Sequence, residues 1–135
     1  MSGETDLAAL LSGLDPALHA PTYGFALIPP GGTLPPGLAP FALIREAEGL
    51  TVIATLDDFA AVGMNPVSQW ARITMMVHSA LEAVGMTAAM AHALAQAGIS
   101  ANIVAAIHHD HLFVPWDRRH DAVAALLALS GNRAD

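Results

Sequence analysis

The sequence contains no cysteine, no lysine and no strongly basic segment, and each absence excludes a class of function. Without cysteine the chain can form no disulfide, no thiolate nucleophile and no cysteine-ligated zinc site. Its five arginines stand against twelve acidic residues, which gives a formal net charge of −7. Because binding to nucleic acid or to an anionic membrane surface needs a basic face, we expect neither partner.

No membrane-spanning segment is predicted, although two long stretches lack acidic residues and arginine. Residues 22–44 contain five prolines, and residues 83–107 are rich in alanine but are interrupted by Gln96, Gly98 and Asn102. Neither stretch has the unbroken apolar character of a transmembrane helix. The N-terminal segment is acidic and lacks the basic region of a signal peptide, so we expect a soluble cytoplasmic protein.

The composition is typical of a globular protein with an apolar surface. The chain has 135 residues, of which 54% are hydrophobic and 13% are charged. This length corresponds to one domain, or to two small domains that share a core. So few charged residues leave little polar surface, which predicts that a second copy covers one sheet or helix face. We therefore expect a homo-oligomer.

The first half is predicted to contain two helices and three strands. The helices are expected at residues 4–14 and 58–63, and the strands at residues 22–29, 41–46 and 50–55. Thr5 or Asp6 can cap the first helix, and Asp57 can cap the second. Proline and glycine dominate residues 29–40, which favours a connecting loop over a partner-binding polyproline segment.

The second half follows the order strand, helix, strand, strand, helix. The strands are expected at residues 70–79, 101–108 and 111–115, and the helices at residues 87–97 and after Asp117. Thr87 and Asp117 are predicted to cap these helices, and Gly98 with Ile99 is predicted to end the first in a Schellman motif. Residues 101–108 are apolar on both faces, so we expect this strand at the centre of its sheet.

The boundary between two halves is predicted within residues 64–69. The predicted domains are therefore residues 1–65 and 66–135. Each half contains a strand, a connection, a hairpin and a helix. The proline-rich loop of the first half stands where the second half has a crossover helix. The halves share too few identical residues to prove an internal repeat.

Four segments resemble the small bacterial ACT-domain proteins that are built from two ACT-like halves. They are residues 45–51, 77–89, 97–104 and 109–114. The resemblance covers nearly the whole chain and implies an α+β, ferredoxin-like fold of tandem ACT domains, with antiparallel sheets and helices on one face. The N-terminal half would be the degenerate copy. The resemblance also implies that the protein binds an amino acid at an interface between ACT sheets. We expect no cofactor.

The loop before the helix of the second half is the predicted ligand site. Gly85 allows close backbone approach, and the N–H groups at Met86 and Thr87 suit a carboxylate, which the helix dipole also favours. Asn102 is a polar residue in an apolar strand and can bond the same ligand. The structural alternatives are ordinary turn chemistry at Gly85 and a local hydrogen bond at Asn102. The predicted ligand-binding residues are His78, Ser79, Glu82, Gly85, Met86, Thr87, Asn102, Ile103 and Val104.

The stretch from His108 to His111 presents four metal-ligand side chains in a row. Alternation along a strand would put His109 and His111 on one face and His108 and Asp110 on the other, so all four cannot bind one ion. We therefore expect no metal, and interpret the stretch as a hairpin turn around Asp110 whose imidazoles bond locally. The alternatives are the lining of a ligand pocket and a metal site formed by His108, His109 and His111.

No catalytic motif is present, because the chain has no P-loop, no Rossmann glycine pattern and no serine–histidine–aspartate order. The leading hypothesis is a non-enzymatic ACT-type regulatory protein that binds or senses an amino acid. Two alternatives stay open. One is a metal-dependent enzyme that uses the stretch from His108 to His111, and the other is an interaction module with no ligand.

Overall fold

The computed structural model describes residues 6–77 and 84–130 of the chain. These ranges contain four α-helices, at Leu7–Ser12 (α1), Leu56–Ala61 (α2), Met86–Gln96 (α3) and Arg119–Leu129 (α4). They contain six strands, at Pro16–Ile28 (β1), Ala42–Glu46 (β2), Gly49–Thr55 (β3), Val67–Met75 (β4), Asn102–Ala105 (β5) and Asp110–Pro115 (β6). A short 3₁₀-helix, Trp116–Arg118, precedes α4. No helix in these ranges is long and apolar enough to cross a membrane.

The chain divides into two compact units whose segments interleave in the sequence. Unit 1 consists of residues 1–20 and 71–135, and unit 2 consists of residues 21–70. The division passes through β1 and β4, so each of these strands contributes residues to both units. The predicted domains, residues 1–65 and 66–135, are consecutive segments instead, and that division stays a prediction.

Unit 2 forms its sheet in the order β2-β3-β1-β4. β3 pairs antiparallel with β2 and with β1, in registers that place Glu46 opposite Gly49 and Tyr23 opposite Thr55. The predicted hairpin is thus confirmed. Alternate residues of the strands pack against α2 and form a buried core, which comprises Ile28, Leu38, Val52, Ala54 and Phe59.

The proline-rich loop of unit 2 contributes to this core as well as connecting β1 to β2. The Leu38 side chain is buried, and Leu34 packs against the same cluster. Two backbone hydrogen bonds form turns in the loop, from Gly32 N–H to the Pro29 carbonyl at 2.9 Å and from Leu38 N–H to the Pro35 carbonyl at 3.2 Å. The loop therefore covers apolar surface that a crossover helix covers in unit 1.

Unit 1 forms its sheet in the order β1-β4-β6-β5, with helices packed on one face. β5 and β6 are antiparallel, and Val104 lies opposite His111. The helix-facing side of the sheet packs with α3 and α4 in one core, which comprises Leu14, Ala71, Ile73, Met75, Met86, Met90, Leu94, Ile99, Leu112, Val114, Ala122 and Leu126. The ferredoxin-like α+β fold is confirmed.

Two strand predictions were wrong. β1 begins at Pro16, six residues before the predicted start, because Pro16 and Pro21 are accommodated within the strand. β5 lies at the end of the strand order and not at the centre, and it is only four residues long. Its apolar residues reflect partial burial on an edge strand, whereas the fully buried residues of the hairpin are Leu112, Phe113 and Val114 of β6.

The helix caps are partly as predicted. Asp6 caps α1, since its Oδ1 accepts the Ala8 N–H at 3.2 Å. The Schellman motif is confirmed by bonds from Ile99 N–H to the Leu94 carbonyl at 2.9 Å and from Gly98 N–H to the Ala95 carbonyl at 3.0 Å.

Three predicted caps were wrong. Thr55, not Asp57, caps α2, because its hydroxyl oxygen accepts the Asp58 N–H at 3.1 Å. Thr87 lies inside the first turn of α3, whose N-cap is Gly85. Asp117 lies in the 3₁₀-helix, which displaces the start of α4 to Arg119.

Replacing Gly24 by alanine should destabilise the protein by about 3 kcal/mol, because the new Cβ would lie 2.6 Å from the Cβ of Pro66. The control is Gly63→Ala, where an added Cβ meets no atom within 4 Å and only the positive φ of 72° must be tolerated. That strain costs about 1 kcal/mol. Urea denaturation measures both losses, and equal losses would contradict the steric explanation.

Candidate functional site

The start of α3 presents backbone donors at the predicted ligand site. Gly85 is the N-cap residue with φ 93°, and no side chain in the described ranges caps the helix there. The first intrahelical bond runs from Ala89 N–H to the Gly85 carbonyl at 2.9 Å. The N–H groups of Met86, Thr87 and Ala88 therefore precede the first helical hydrogen bond and have no intrahelical acceptor. The Thr87 side chain is exposed, while Met86 is buried in the core of unit 1.

Gly85 is required at this position for two reasons. A φ of 93° lies in the left-handed region, which side chains other than glycine rarely adopt. In addition, an added Cβ would lie 3.1 Å from Cδ2 of Leu7, on α1. The predicted residues His78, Ser79 and Glu82 lie outside the described residues.

The structure does not bring the side chain of Asn102 to the start of α3. Ile103 packs against the core that α3 and α4 share, and the side chains of a strand alternate between faces. Asn102 and Val104 therefore lie on the opposite face of the sheet, and Asn102 is exposed. Its exposure removes the need for a buried hydrogen-bond partner. The proposed ligand contacts of the predicted residues stay predictions.

The histidine-rich stretch forms the connection between β5 and β6. Ala106 N–H donates to the His109 carbonyl at 3.1 Å, which closes the turn. Asp110 was expected within the turn, and this was wrong, since it begins β6 opposite Ala105 and is only 8% exposed. The rings of His108 and His109 have centroids 6.4 Å apart. Across the described part of the chain, no group of three or more histidine and acidic side chains could hold a metal ion.

His111 instead joins a polar cluster that spans three strands of unit 1. We define the Thr74 cluster as His19 on β1, Arg72 and Thr74 on β4, and His111 on β6. The hydroxyl oxygen of Thr74 lies 2.7 Å from Nε2 of His19 and 2.9 Å from Nδ1 of His111. A terminal nitrogen of Arg72 lies 3.5 Å from the same Nδ1. Thr74 is 4% exposed and is the most buried member.

The hydrogen-bonding capacities of these groups assign the tautomers. Arg72 can only donate, so Nδ1 of His111 is the acceptor and receives the Thr74 hydroxyl proton as well. The hydroxyl has one proton and must then accept from the other imidazole. Nε2 of His19 is therefore protonated and donates to Thr74. The hydroxyl fixes the orientation of both rings.

Burial and positive charge both oppose protonation of the cluster. Burial lowers the pKa of His111 to about 4, assisted by the positive charges of Arg72, His109 and His19. Burial also lowers the pKa of His19, and Arg72 lowers it further. Burial raises the pKa of Asp110, an effect that the positive charge of His109 opposes. Both cluster histidines are therefore neutral near pH 7.

Sequence reasoning missed the Thr74 cluster. His19 lies in a segment that was interpreted as the break between the first helix and the first strand, and Thr74 is an ordinary residue of an alternating strand. The alternation of Arg72 and Thr74 on the face opposite Ile73 was visible in the sequence. Their meeting with His111 depends on strand pairing, which local patterns do not reveal.

Two of the cavities in unit 2 are lined by residues other than these groups. The larger, about 570 Å³, is lined by Leu56, Ala60, Gly63, Met64, Asn65, Pro66, Ser68 and Gln69. Ser68 has a positive φ of 56°, which is uncommon for a residue other than glycine. The smaller, about 320 Å³, is lined by Phe25, Ala26, Leu27, Thr51, Asn65 and Val67. Neither lining contains a charged side chain.

Family comparison decides what kind of protein carries these features. One family model of the ACT domain matches residues 2–72, and a second matches residues 67–128. The chain belongs to the ACT-domain family. The two matches confirm the tandem ACT organisation, and they support an ACT-type regulatory role. A search of the curated proteins found no match.

Solved structures agree with this assignment. A Vibrio cholerae protein, described as of unknown function and a possible transport protein, is 38% identical with a TM-score of 0.82, over 93% of this chain and 97% of that chain. An Agrobacterium tumefaciens protein is 16% identical with a TM-score of 0.70, covering 87% and 89%. The regulatory subunit of aspartate kinase from Thermus thermophilus is 15% identical with a TM-score of 0.61, covering 84% and 95%. The last two show similarity of fold alone.

Replacing Thr74 by valine should destabilise the protein by about 1–3 kcal/mol, because both imidazoles lose the hydroxyl that satisfies them. The pKa of His111 should rise, since its neutral form loses a donor. The control is Thr51→Val, whose exposed hydroxyl bonds Glu46 at 2.6 Å and should contribute less than about 0.5 kcal/mol. Urea denaturation and NMR titration measure the two effects, and equal losses would show that the bridging hydroxyl is not needed.

The free energy of unfolding should fall as the pH drops from 6.5 to about 4, the interval between the ordinary pKa of histidine and that of His111. In this interval the unfolded chain binds more protons than the folded one, so acid favours unfolding. Solvent screening limits the loss to roughly 1 kcal/mol. The raised pKa of Asp110 acts in the opposite sense at the acidic end.

The matched variant for this pH dependence is His111→Asn, which keeps an acceptor for the Thr74 hydroxyl but does not titrate. Denaturation at several pH values should give a shallower slope for this variant than for the native protein. An unchanged slope would assign the pH dependence to other groups.

Proposed function

We propose that this protein is a non-enzymatic ACT-type regulator that binds an amino acid at the start of α3. The supporting observation is the set of backbone donors at Met86, Thr87 and Ala88, which follow a glycine N-cap with no side-chain cap in the described ranges. In most helices an N-cap side chain satisfies one of these donors. Here no described side chain takes that role.

The chemistry of this helix start favours a carboxylate. Three N–H groups point out of the helix end, and the helix dipole adds partial positive charge there. Neither Met86 nor Thr87 contributes a negative charge that would repel a carboxylate. In the proposal, Glu82 pairs with the ligand ammonium group, which would distinguish an amino acid from a simple carboxylic acid.

The proposed regulatory function also involves a second copy of this chain. β5 is the last strand in the order of unit 1, so one of its edges is available to a strand of another chain. Ile107, two residues after β5, is 71% exposed, and Met76, directly after β4, is 47% exposed. We propose that a second copy covers this region, and that the ligand shifts the equilibrium between assembled states.

A thermal-shift screen with the twenty amino acids tests ligand binding. An amino acid present at about one hundred times its dissociation constant stabilises the folded state by roughly 2.7 kcal/mol, which raises the melting temperature by several degrees. Replacing Thr87 by glutamate should abolish the shift, because the new carboxylate competes for the same donors. The same substitution should stabilise the unliganded helix by about 0.5 kcal/mol, because a negative charge favours the N-terminus.

Thr87→Glu should thus lose the ligand-dependent rise in melting temperature while the melting temperature of the unliganded protein increases. A variant that failed to fold would show a lower melting temperature instead. Thr87→Gln is the neutral control and should keep the ligand-dependent shift. If no amino acid raises the melting temperature of the native protein at millimolar concentration, the amino-acid proposal is rejected and the ligand-free interaction module is favoured.

A further inference from the structure

The cavity of about 320 Å³ in unit 2 lies on the sheet face that is opposite α2. Leu50 and Val52 of β3 pack in the core with α2, so Thr51 between them faces the other way. Leu27 of β1 pairs with Thr51 and shares that face. All six residues that line the cavity belong to unit 2, whereas the start of α3 belongs to unit 1. This cavity is therefore separate from the proposed amino-acid site.

The walls of this cavity are mainly apolar. Leu27 is 52% exposed and Val67, the first residue of β4, is 66% exposed, which leaves two large apolar side chains in contact with water. Phe25 forms a further wall, and its ring makes an edge-to-face contact with Trp70 at a centroid distance of 5.8 Å. That contact orients the Phe25 ring before any ligand arrives. An apolar molecule in the cavity would remove Leu27 and Val67 from water.

The polar groups of the cavity select for a hydrogen-bond donor without charge. The Thr51 hydroxyl donates its single proton to Oε1 of Glu46 at 2.6 Å, so its oxygen can still accept a hydrogen bond from a ligand. The exposed carboxamide of Asn65 can donate or accept. None of the six lining residues is charged. The carboxylate of Glu46, next to Thr51, disfavours an anion.

We propose that this cavity binds a small uncharged molecule that has an apolar ring and one N–H or O–H donor. Its volume lies within the usual range of ligand pockets, which are mostly apolar and contain a few polar groups that fix orientation. The ring contacts Phe25, Leu27 and Val67, and the donor bonds the Thr51 oxygen. Unlike the amino acid proposed at the start of α3, this ligand needs neither a carboxylate nor an ammonium group.

NMR of leucine and valine methyl groups in the intact chain tests the proposal, with indole as the probe. Indole is uncharged and has an apolar ring and one N–H donor. It is titrated to about 10 mM, roughly ten times the dissociation constant, on the order of 1 mM, that is expected for so small a molecule. The methyl signals of Leu27 and Val67 should shift saturably. Those of Leu43, which is comparably exposed on β2 but does not line the cavity, should stay unchanged.

The hydrogen bond is tested with N-methylindole, which lacks the donor and should bind roughly three to ten times more weakly than indole. In Thr51→Val the accepting oxygen is absent, so this preference for indole should shrink at least about threefold. Charge is tested with indole-3-acetate. Its carboxylate would lose hydration in an uncharged cavity beside Glu46, so it should bind at least about tenfold more weakly than indole.

The apolar walls are tested with alanine substitutions. Leu27→Ala should weaken indole binding roughly fivefold, because it removes part of the contact surface. Leu43→Ala is the matched control, since it makes the same change at an exposed strand residue outside the cavity and should keep the native midpoint. Val67→Ala should weaken binding roughly threefold, and it serves if Leu27→Ala fails to fold. Thr87→Glu should bind indole normally, which separates this site from the start of α3.

The proposal is overturned if indole produces no saturable shift at Leu27 and Val67, or if Leu43 shifts equally. It is also overturned if those two signals depend on protein concentration and not on indole, because a second copy would then cover the cavity. Native affinity in the folded alanine variants, an unchanged preference for indole in Thr51→Val, or equal binding of indole-3-acetate would each contradict it as well.

Discussion

The structure depends on two long strands, β1 and β4, that run through both compact units. The first residues of β1 complete the sheet of unit 1, and its later residues pair with β3 in unit 2. β4 begins in unit 2 and ends in unit 1. No single cut in the chain can therefore release one unit intact. The interleaving also explains why the N-terminal residues, which precede unit 2 in the sequence, supply His19 to a cluster whose other members follow unit 2.

The two candidate sites of unit 1 use different sources of positive potential. At the start of α3 the potential comes from backbone dipoles and requires no ionisable side chain, so it is insensitive to pH. In the Thr74 cluster it comes from Arg72, because burial lowers the pKa of His19 and of His111 and keeps both imidazoles neutral near pH 7. The sheet lies between the two sites, because Ile103 and Ile73 face the helices while Arg72 and His111 face away. The start of α3 and the Thr74 cluster thus lie on opposite faces of the sheet of unit 1.

Features determined by neighbouring residues could be predicted from the sequence, and features determined by distant pairing could not. The β2–β3 hairpin, the Asp6 cap and the Schellman motif at Gly98 each depend on a few consecutive residues. The start of β1 was misplaced because Pro16 and Pro21 normally argue against a strand. The alternation of side chains around Asn102 was evident in the sequence, but the sheet face on which Asn102 lies depends on where α3 packs. The contact between His19 and Thr74 joins residues 55 positions apart, so only the sheet order reveals it.

The interleaved order has a consequence for synthesis on the ribosome. The first residues of β1 are made before unit 2, whereas their partner strand, the end of β4, is made after it. Unit 2 can form its hairpin and core before the end of β4, the partner of the start of β1, has been synthesised. The last strand pairing of unit 1 therefore has to wait until residues 21–70 have been synthesised.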